Sequence, residues 1–63
     1  MNNDKLRVEV KLLKAKGIID NYYEVAELME VSNKSFYNWL CGCYNLGYTK
    51  QERLQSIIND LYI

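Results

Sequence analysis

Apolar positions along the chain fall into stripes at helical spacing, separated by short polar turns. In residues 4–16, Leu6, Val10 and Leu13 recur at the period of one helix face, and Lys16-Gly17 supplies a basic end and a glycine stop. The same segment also alternates, with Leu6, Val8, Val10 and Leu12 set against Arg7, Glu9 and Lys11, which is a strand pattern. The helix is the favoured reading, because no other segment offers a strand to pair with. As a helix it carries a second apolar stripe, Val8, Leu12 and Ala15, on the opposite side.

Ile18 and Ile19 then return the chain to the core. Asp20 or Asn21 is the predicted cap of a second helix, with Asn21 and Glu24 spaced as a capping box. Tyr22, Val25, Ala26 and Met29 share one face of that helix, while Asp20, Glu24 and Glu27 lie away from it. Glu30-Val31 makes a turn, and Ser32 caps a third helix, residues 32–41, that should stop at Gly42. Its apolar face is Phe36, Trp39, Leu40 and, by extension, Cys43. Its opposite face carries Asn33, Lys34, Tyr37, Asn38 and Cys41, with Ser35 off that face. After a loop over residues 43–48, Thr49 and Glu52 have the spacing of a capping box for a final helix striped with Leu54, Ile57, Ile58 and Leu61. The expectation is an all-α fold of four helices forming one domain over residues 1–63.

Composition narrows the function classes. A chain of 63 residues buries only about 60% of the surface its unfolded form exposes, so its stability is marginal unless it pairs with a second copy. It has no proline and three glycines, which favours helices over a strand-and-turn architecture. The longest apolar runs near the N-terminus are pairs such as Leu12-Leu13, so neither a signal peptide nor a membrane span is expected, and a cytoplasmic protein is. Cys41 and Cys43 are the only cysteines and histidine is absent, so one chain cannot fill a four-ligand zinc site, and no metal or cofactor is expected. Reduced thiols are the plain reading, with Cys43 as a small core residue; Cys-Gly-Cys also has the spacing of a strained redox pair. Without histidine or paired acids at a plausible pocket, no catalytic constellation can be assembled, and a binding protein is expected.

The third helix suggests what is bound. A helix anchored on one side, with amide, ammonium and phenol groups on the other, has the design of a recognition helix for duplex DNA. Charge argues less strongly, since eight basic residues balance eight acidic ones. Residues 1–16 are basic, residues 17–31 carry Asp20, Glu24, Glu27 and Glu30 with no positive charge, and Lys34, Lys50 and Arg53 follow. So few cations predict weak binding by a single copy, and a homodimer is the physical remedy.

From residue 17 to about 42 the chain resembles the helix-turn-helix of phage repressors and their Cro-like relatives (the XRE type), with the motif at about 21–42. The likeness rests on the small Ala26 in the middle of the first motif helix, on Met29 and Val31 flanking the turn, and on Phe36 and Trp39 three apart. The Trp39-Leu40-Cys41-Gly42 ending is similar to the Trp-x-x-Gly that often closes the recognition helix in this family. The resemblance implies a lambda-repressor-like domain whose third helix enters the major groove. Asn33, Lys34, Tyr37 and Asn38 would then face the bases. Tyr22, Ser32, Tyr44, Asn45 and Lys50 would lie along the phosphates. Val8, Leu12, Tyr62 and Ile63 are apolar residues left over for dimer contacts. The chain departs from the pattern at Glu30, where the family usually has glycine because the turn often needs positive φ. The approach to Ala26 is about two residues longer than usual, and no stripe predicts the family's usual fifth helix.

Two further readings stand beside a phage, prophage or plasmid repressor. A protein-interaction module, such as a phage-type inhibitor or antirepressor, would keep the scaffold without reading DNA; zero net charge, the acidic second helix and six tyrosines favour it. A ribbon-helix-helix dimer would follow if Leu6 to Leu12 were a strand, with Arg7, Glu9 and Lys11 in the groove. That reading leaves the Trp39-to-Gly42 match unexplained.

Overall fold

The N-terminal segment winds into a helix, α1 (Asn3–Ala15), in the computed structural model, which describes residues 2–63. Both ends are closed by local chemistry. The Asn2 side chain accepts from the Lys5 N–H at 3.0 Å. Gly17, at φ +77°, lets its own N–H reach the Lys14 carbonyl (3.0 Å) and that of Ile18 reach Leu13 (2.9 Å). This pair of bonds is a Schellman closure, and it needs the left-handed conformation that glycine adopts freely. The strand reading of Leu6 to Leu12 is thereby overturned, and the ribbon-helix-helix dimer with it. No strand exists among the described residues to pair with one there, whereas helix formation buries Leu6, Val10 and Leu13 together.

Three more helices follow: α2 (Tyr23–Met29), α3 (Asn33–Leu40) and α4 (Tyr48–Leu61). Helix α4 packs against both α1 and α2, and α2 packs against α3, in a body of 26 × 22 × 19 Å. The predicted stripes supply the core: Val25, Ala26 and Met29 from α2, Phe36, Trp39 and Leu40 from α3, and Leu54 and Ile58 from α4. Ile57 and Leu61 pack on its margin. None of the helices among the described residues is long and apolar enough to cross a membrane.

Three local expectations fail. Helix α2 is not capped by the side chain of Asp20 or Asn21; Tyr22 holds the cap position in helical geometry without a side-chain bond. Only the back-reaching half of the box forms, with the Glu24 carboxylate accepting from the N–H groups of Asp20 (2.6 Å) and Asn21 (3.2 Å). At α4 the Thr49–Glu52 box does not form, because the helix begins at Tyr48 behind Gly47 and Thr49 already lies inside its first turn. The cause is Leu46, a loop residue drawn into the core and fixed on both sides. Its N–H donates to Asn3 Oδ1 (2.8 Å), and its carbonyl accepts from Gln51 Nε2 (2.9 Å) and Asn3 Nδ2 (3.3 Å). Cys43 is exposed and not a core residue, because α3 ends at Leu40 and the chain reverses at Gly42 (φ +88°). Helical extrapolation from Phe36 and Trp39 does not carry past that reversal.

Candidate nucleic-acid interface

Helix α3 is fixed at its start, along its length and at its end by contacts that leave most of its outward face free. At its start, Ser32 is extended and its Oγ accepts from the Ser35 N–H at 3.1 Å, the predicted cap. Along its length, Phe36 and Trp39 are buried with ring centroids 5.5 Å apart, and the indole N–H of Trp39 donates to Asn3 Oδ1 at 2.8 Å. A buried polar tip satisfied in this way costs little, so the indole fixes rotation of the helix as well as depth. At its end, the Cys43 N–H reaches the Asn38 carbonyl (2.9 Å) and the Gly42 N–H reaches Trp39 (3.0 Å), a second Schellman closure.

Arg7 ties this end to α1. Only 9% exposed, its guanidinium donates from Nε to the Trp39 carbonyl (2.6 Å), from Nη2 to the Tyr44 carbonyl (2.7 Å) and Asn45 Oδ1 (3.0 Å), and from Nη1 to Asp4 (2.9 Å). It also lies 5.2 Å from the centre of the Trp39 ring. Five N–H donors in a planar fork suit this cluster of acceptors, and lysine could not reproduce it.

The turn before α3 is equally defined. Glu30 has φ 61° and ψ 37°, the left-handed conformation in which the sequence lacks the expected glycine. Its N–H bonds the Glu27 carbonyl (3.0 Å), and the Val31 N–H bonds Ala26 (3.1 Å), so α2 also ends in a Schellman closure. Arg53 of α4 braces this turn, donating to the Leu28 carbonyl (3.3 Å) and pairing with the Glu30 carboxylate at 3.4 Å.

The outward face is the one the periodicity singled out. Asn33, Lys34, Tyr37, Asn38 and Cys41 are all exposed, and among the described residues no hydrogen bond or ion pair engages the side chains of Asn33, Lys34 or Asn38. Tyr37 is held more firmly: its ring meets that of Tyr22 edge to face, 5.7 Å between centroids and 86° between planes. Lys14 Nζ lies 4.9 Å from the centre of the Tyr22 ring, which brings an ammonium from the end of α1 toward this face.

The outer ring of candidates is less free than the sequence implies. Tyr22 is half-buried between Tyr37 and Lys14, and Ser32 spends its oxygen on the cap. The Tyr44 hydroxyl donates to the Ser35 carbonyl (2.8 Å), and Asn45 accepts from Arg7. Lys50 is exposed and lines an open recess of about 310 Å³ with Tyr44, Asn45 and the start of α4. Sequence reasoning missed Lys14 and Arg7. Nothing local marks either, since their partners become neighbours only through folding.

Val8 and Leu12 remain exposed on the outer side of α1, at 57% and 42%, while Tyr62 is 45% exposed and Ile63 fully so. Lys16 Nζ sits 5.2 Å from the centre of the Tyr62 ring, which sets the end of α4 beside the end of α1. Among the described residues no group of three or more His, Cys, Asp or Glu side chains lies together to hold a metal ion. Comparison with known protein families, with curated proteins and with solved structures finds no match to this chain.

Proposed function

We propose that this chain is a sequence-specific duplex-DNA-binding regulator of the phage repressor and Cro-like helix-turn-helix type, acting as a homodimer. One observation carries the reading: α3 is fixed at its cap, its indole and its C-terminus, yet presents the side chains of Asn33, Lys34 and Asn38 with no hydrogen bond or ion pair among the described residues. Uncommitted amide and ammonium groups on a rigid helix match the donor and acceptor pattern of the major groove. Asn33 and Asn38 would each pair with adenine, Lys34 would donate to guanine, and Tyr37, held by Tyr22, would pack on a thymine methyl. Lys14 and Lys50 supply phosphate contacts at the margin, with Tyr44 beside the recess. Two copies joined through Val8, Leu12, Tyr62 and Ile63 would double a small set of cations and read a two-fold symmetric site.

Selection from a random duplex library at low salt, run in parallel on wild type and Asn38→Ala, tests the proposal. A palindromic motif that relaxes at one position per half-site in the variant is the expected result. No motif from a folded wild-type protein would overturn it.

A protein-interaction module is the second reading, favoured by the outer face of α2. Tyr23 and Leu28 are about half exposed there, and Leu28 lines a recess of about 300 Å³ with Glu24 and Glu27. Carboxylates so placed repel phosphate and suit a basic protein partner. Under that reading the library selection fails, and Leu28→Ala weakens partner binding where Asn38→Ala does not.

A further inference from the structure

Cys41 and Cys43 flank the turn that ends α3, and the DNA-reading proposal uses neither thiol. Both are free and exposed. Between them Gly42 sits at φ +88°, with open space beyond its two chain neighbours where a side chain would project, and residues 41–45 are all exposed. Cys41 is in right-handed helical geometry at φ −79° and ψ −6°. The hydrogen bonds from Gly42 to Trp39 (3.0 Å) and from Cys43 to Asn38 (2.9 Å) fix the backbone on either side of the glycine.

This geometry matters for two sulfurs only one residue apart. In a regular helix the 2.3 Å radius and 1.5 Å rise place residues i and i+2 about 5.4 Å apart at Cα, and a left-handed central residue gives the mirror image of the same spacing. In an extended strand, which rises about 3.2–3.4 Å per residue, the same two atoms would stand roughly 6.4–6.8 Å apart. Disulfides span about 4.4–6.8 Å between Cα atoms with a mode of about 5.5–6 Å, so the turn holds the pair near the preferred separation and an extended backbone holds it at the upper limit. A side chain other than glycine at position 42 would disfavour that turn.

We propose that Cys41 and Cys43 form a dithiol site that exchanges with low-molecular-weight disulfides and closes to an intrachain disulfide. The thiolate of one cysteine attacks a sulfur of the small disulfide, forming a mixed disulfide and releasing one small thiol. The second thiolate then attacks the protein sulfur of that mixed disulfide, closing the ring and releasing the second small thiol. The small disulfide is reduced to two thiols and the protein loses two hydrogens, so electrons and protons balance. The contribution of the fold is proximity: the turn raises the effective concentration of the second thiol over that in an unfolded chain. The site stands independently of whether α3 reads DNA.

The test equilibrates the full chain with mixtures of reduced and oxidised glutathione, traps free thiols by acid and alkylation, and weighs the intact protein. The expected product is a monomer two hydrogens lighter that takes up no alkyl group. Its ratio to the dithiol should be at least tenfold higher in buffer than in 8 M urea at the same glutathione ratio. Cys41→Ser and Cys43→Ser should each stop at the mixed disulfide, and Gly42→Val, checked for helix content by circular dichroism, should lower cyclisation in buffer toward the urea value. Accumulation of doubly glutathionylated protein or interchain dimers, or equal cyclisation with and without urea, would overturn the proposal.

Discussion

Arg7 shows how much one side chain can organise. Its guanidinium gathers the buried Trp39 carbonyl, which it shares with the Gly42 N–H, and the part-buried Tyr44 carbonyl and Asn45 side chain of the following loop. Replacing it with methionine keeps some of the packing on Trp39 but removes these charge-assisted hydrogen bonds, at a cost of about 3 kcal/mol. Arg7→Met should therefore lower the thermal midpoint by more than 10 °C in a domain of this size, read by circular dichroism; a shift under 3 °C would remove Arg7 from its organising role. Glu30 makes the opposite case. A non-glycine residue in left-handed geometry costs about 1 kcal/mol or more, and the exposed pair with Arg53 recovers only a fraction of it. Glu30→Gly should gain about 0.5–1 kcal/mol, measured as a higher midpoint in urea with an unchanged slope. The family resemblance marked Glu30 as the place where glycine is usual, and the left-handed geometry found there is the reason. No such mark pointed to Arg7, which read as one more cation on a basic helix.

At the scale of elements, each helix combines a legible stripe with ends of varying legibility. The caps at Ser32, Gly17 and Gly42 were visible because each is settled within about five residues of sequence. The starts of α2 and α4 were not, because the first depends on a carboxylate turning backward and the second on Leu46 entering the core. Helix α3 is the element on which the functional proposal turns. Asn38 is exposed and its side chain makes no hydrogen bond among the described residues, so Asn38→Ala should alter stability by less than about 0.5 kcal/mol. Discrimination at one base pair per half-site should nevertheless fall by about 1–3 kcal/mol, read from competition binding with single-base variants of the selected duplex. Equal losses on all duplexes would instead place Asn38 against phosphate.

For the whole molecule the question is what a second copy adds. With a formal charge of zero and few cations the chain is expected to bind nucleic acid only weakly as a single copy, so the proposed affinity has to come from pairing two modest surfaces. The exposed stripe of Val8 and Leu12, with the end of α4 brought alongside through Lys16 and Tyr62, is the candidate seam. Leu12→Glu changes a half-exposed position and should leave the monomer folded while raising the dimer dissociation constant at least tenfold in sedimentation equilibrium. An unchanged constant would move the seam elsewhere. In this arrangement the acidic outer face of α2 has to point away from the duplex, because phosphate repels its carboxylates.

Periodicity, caps and turn residues are interactions between near neighbours, and they let the sequence by itself determine the last three helices, the inward face of each and the outward set on α3, while residues 6–12 fit both helix and strand until the fold decided between them. Val25, Ala26, Met29, Phe36, Trp39, Leu54 and Ile58 are core residues for that reason, whatever the packing partners. Tertiary structure decided the rest: the burial of Arg7, the recruitment of Leu46, the alignment of Lys14 with Tyr22 and Tyr37, and the exposure of Cys43. The acceptors of Arg7 on Trp39 and Tyr44 lie 32 and 37 residues along the chain. Contacts of that kind leave no period in the sequence, because only the folded path of the backbone brings such partners within reach.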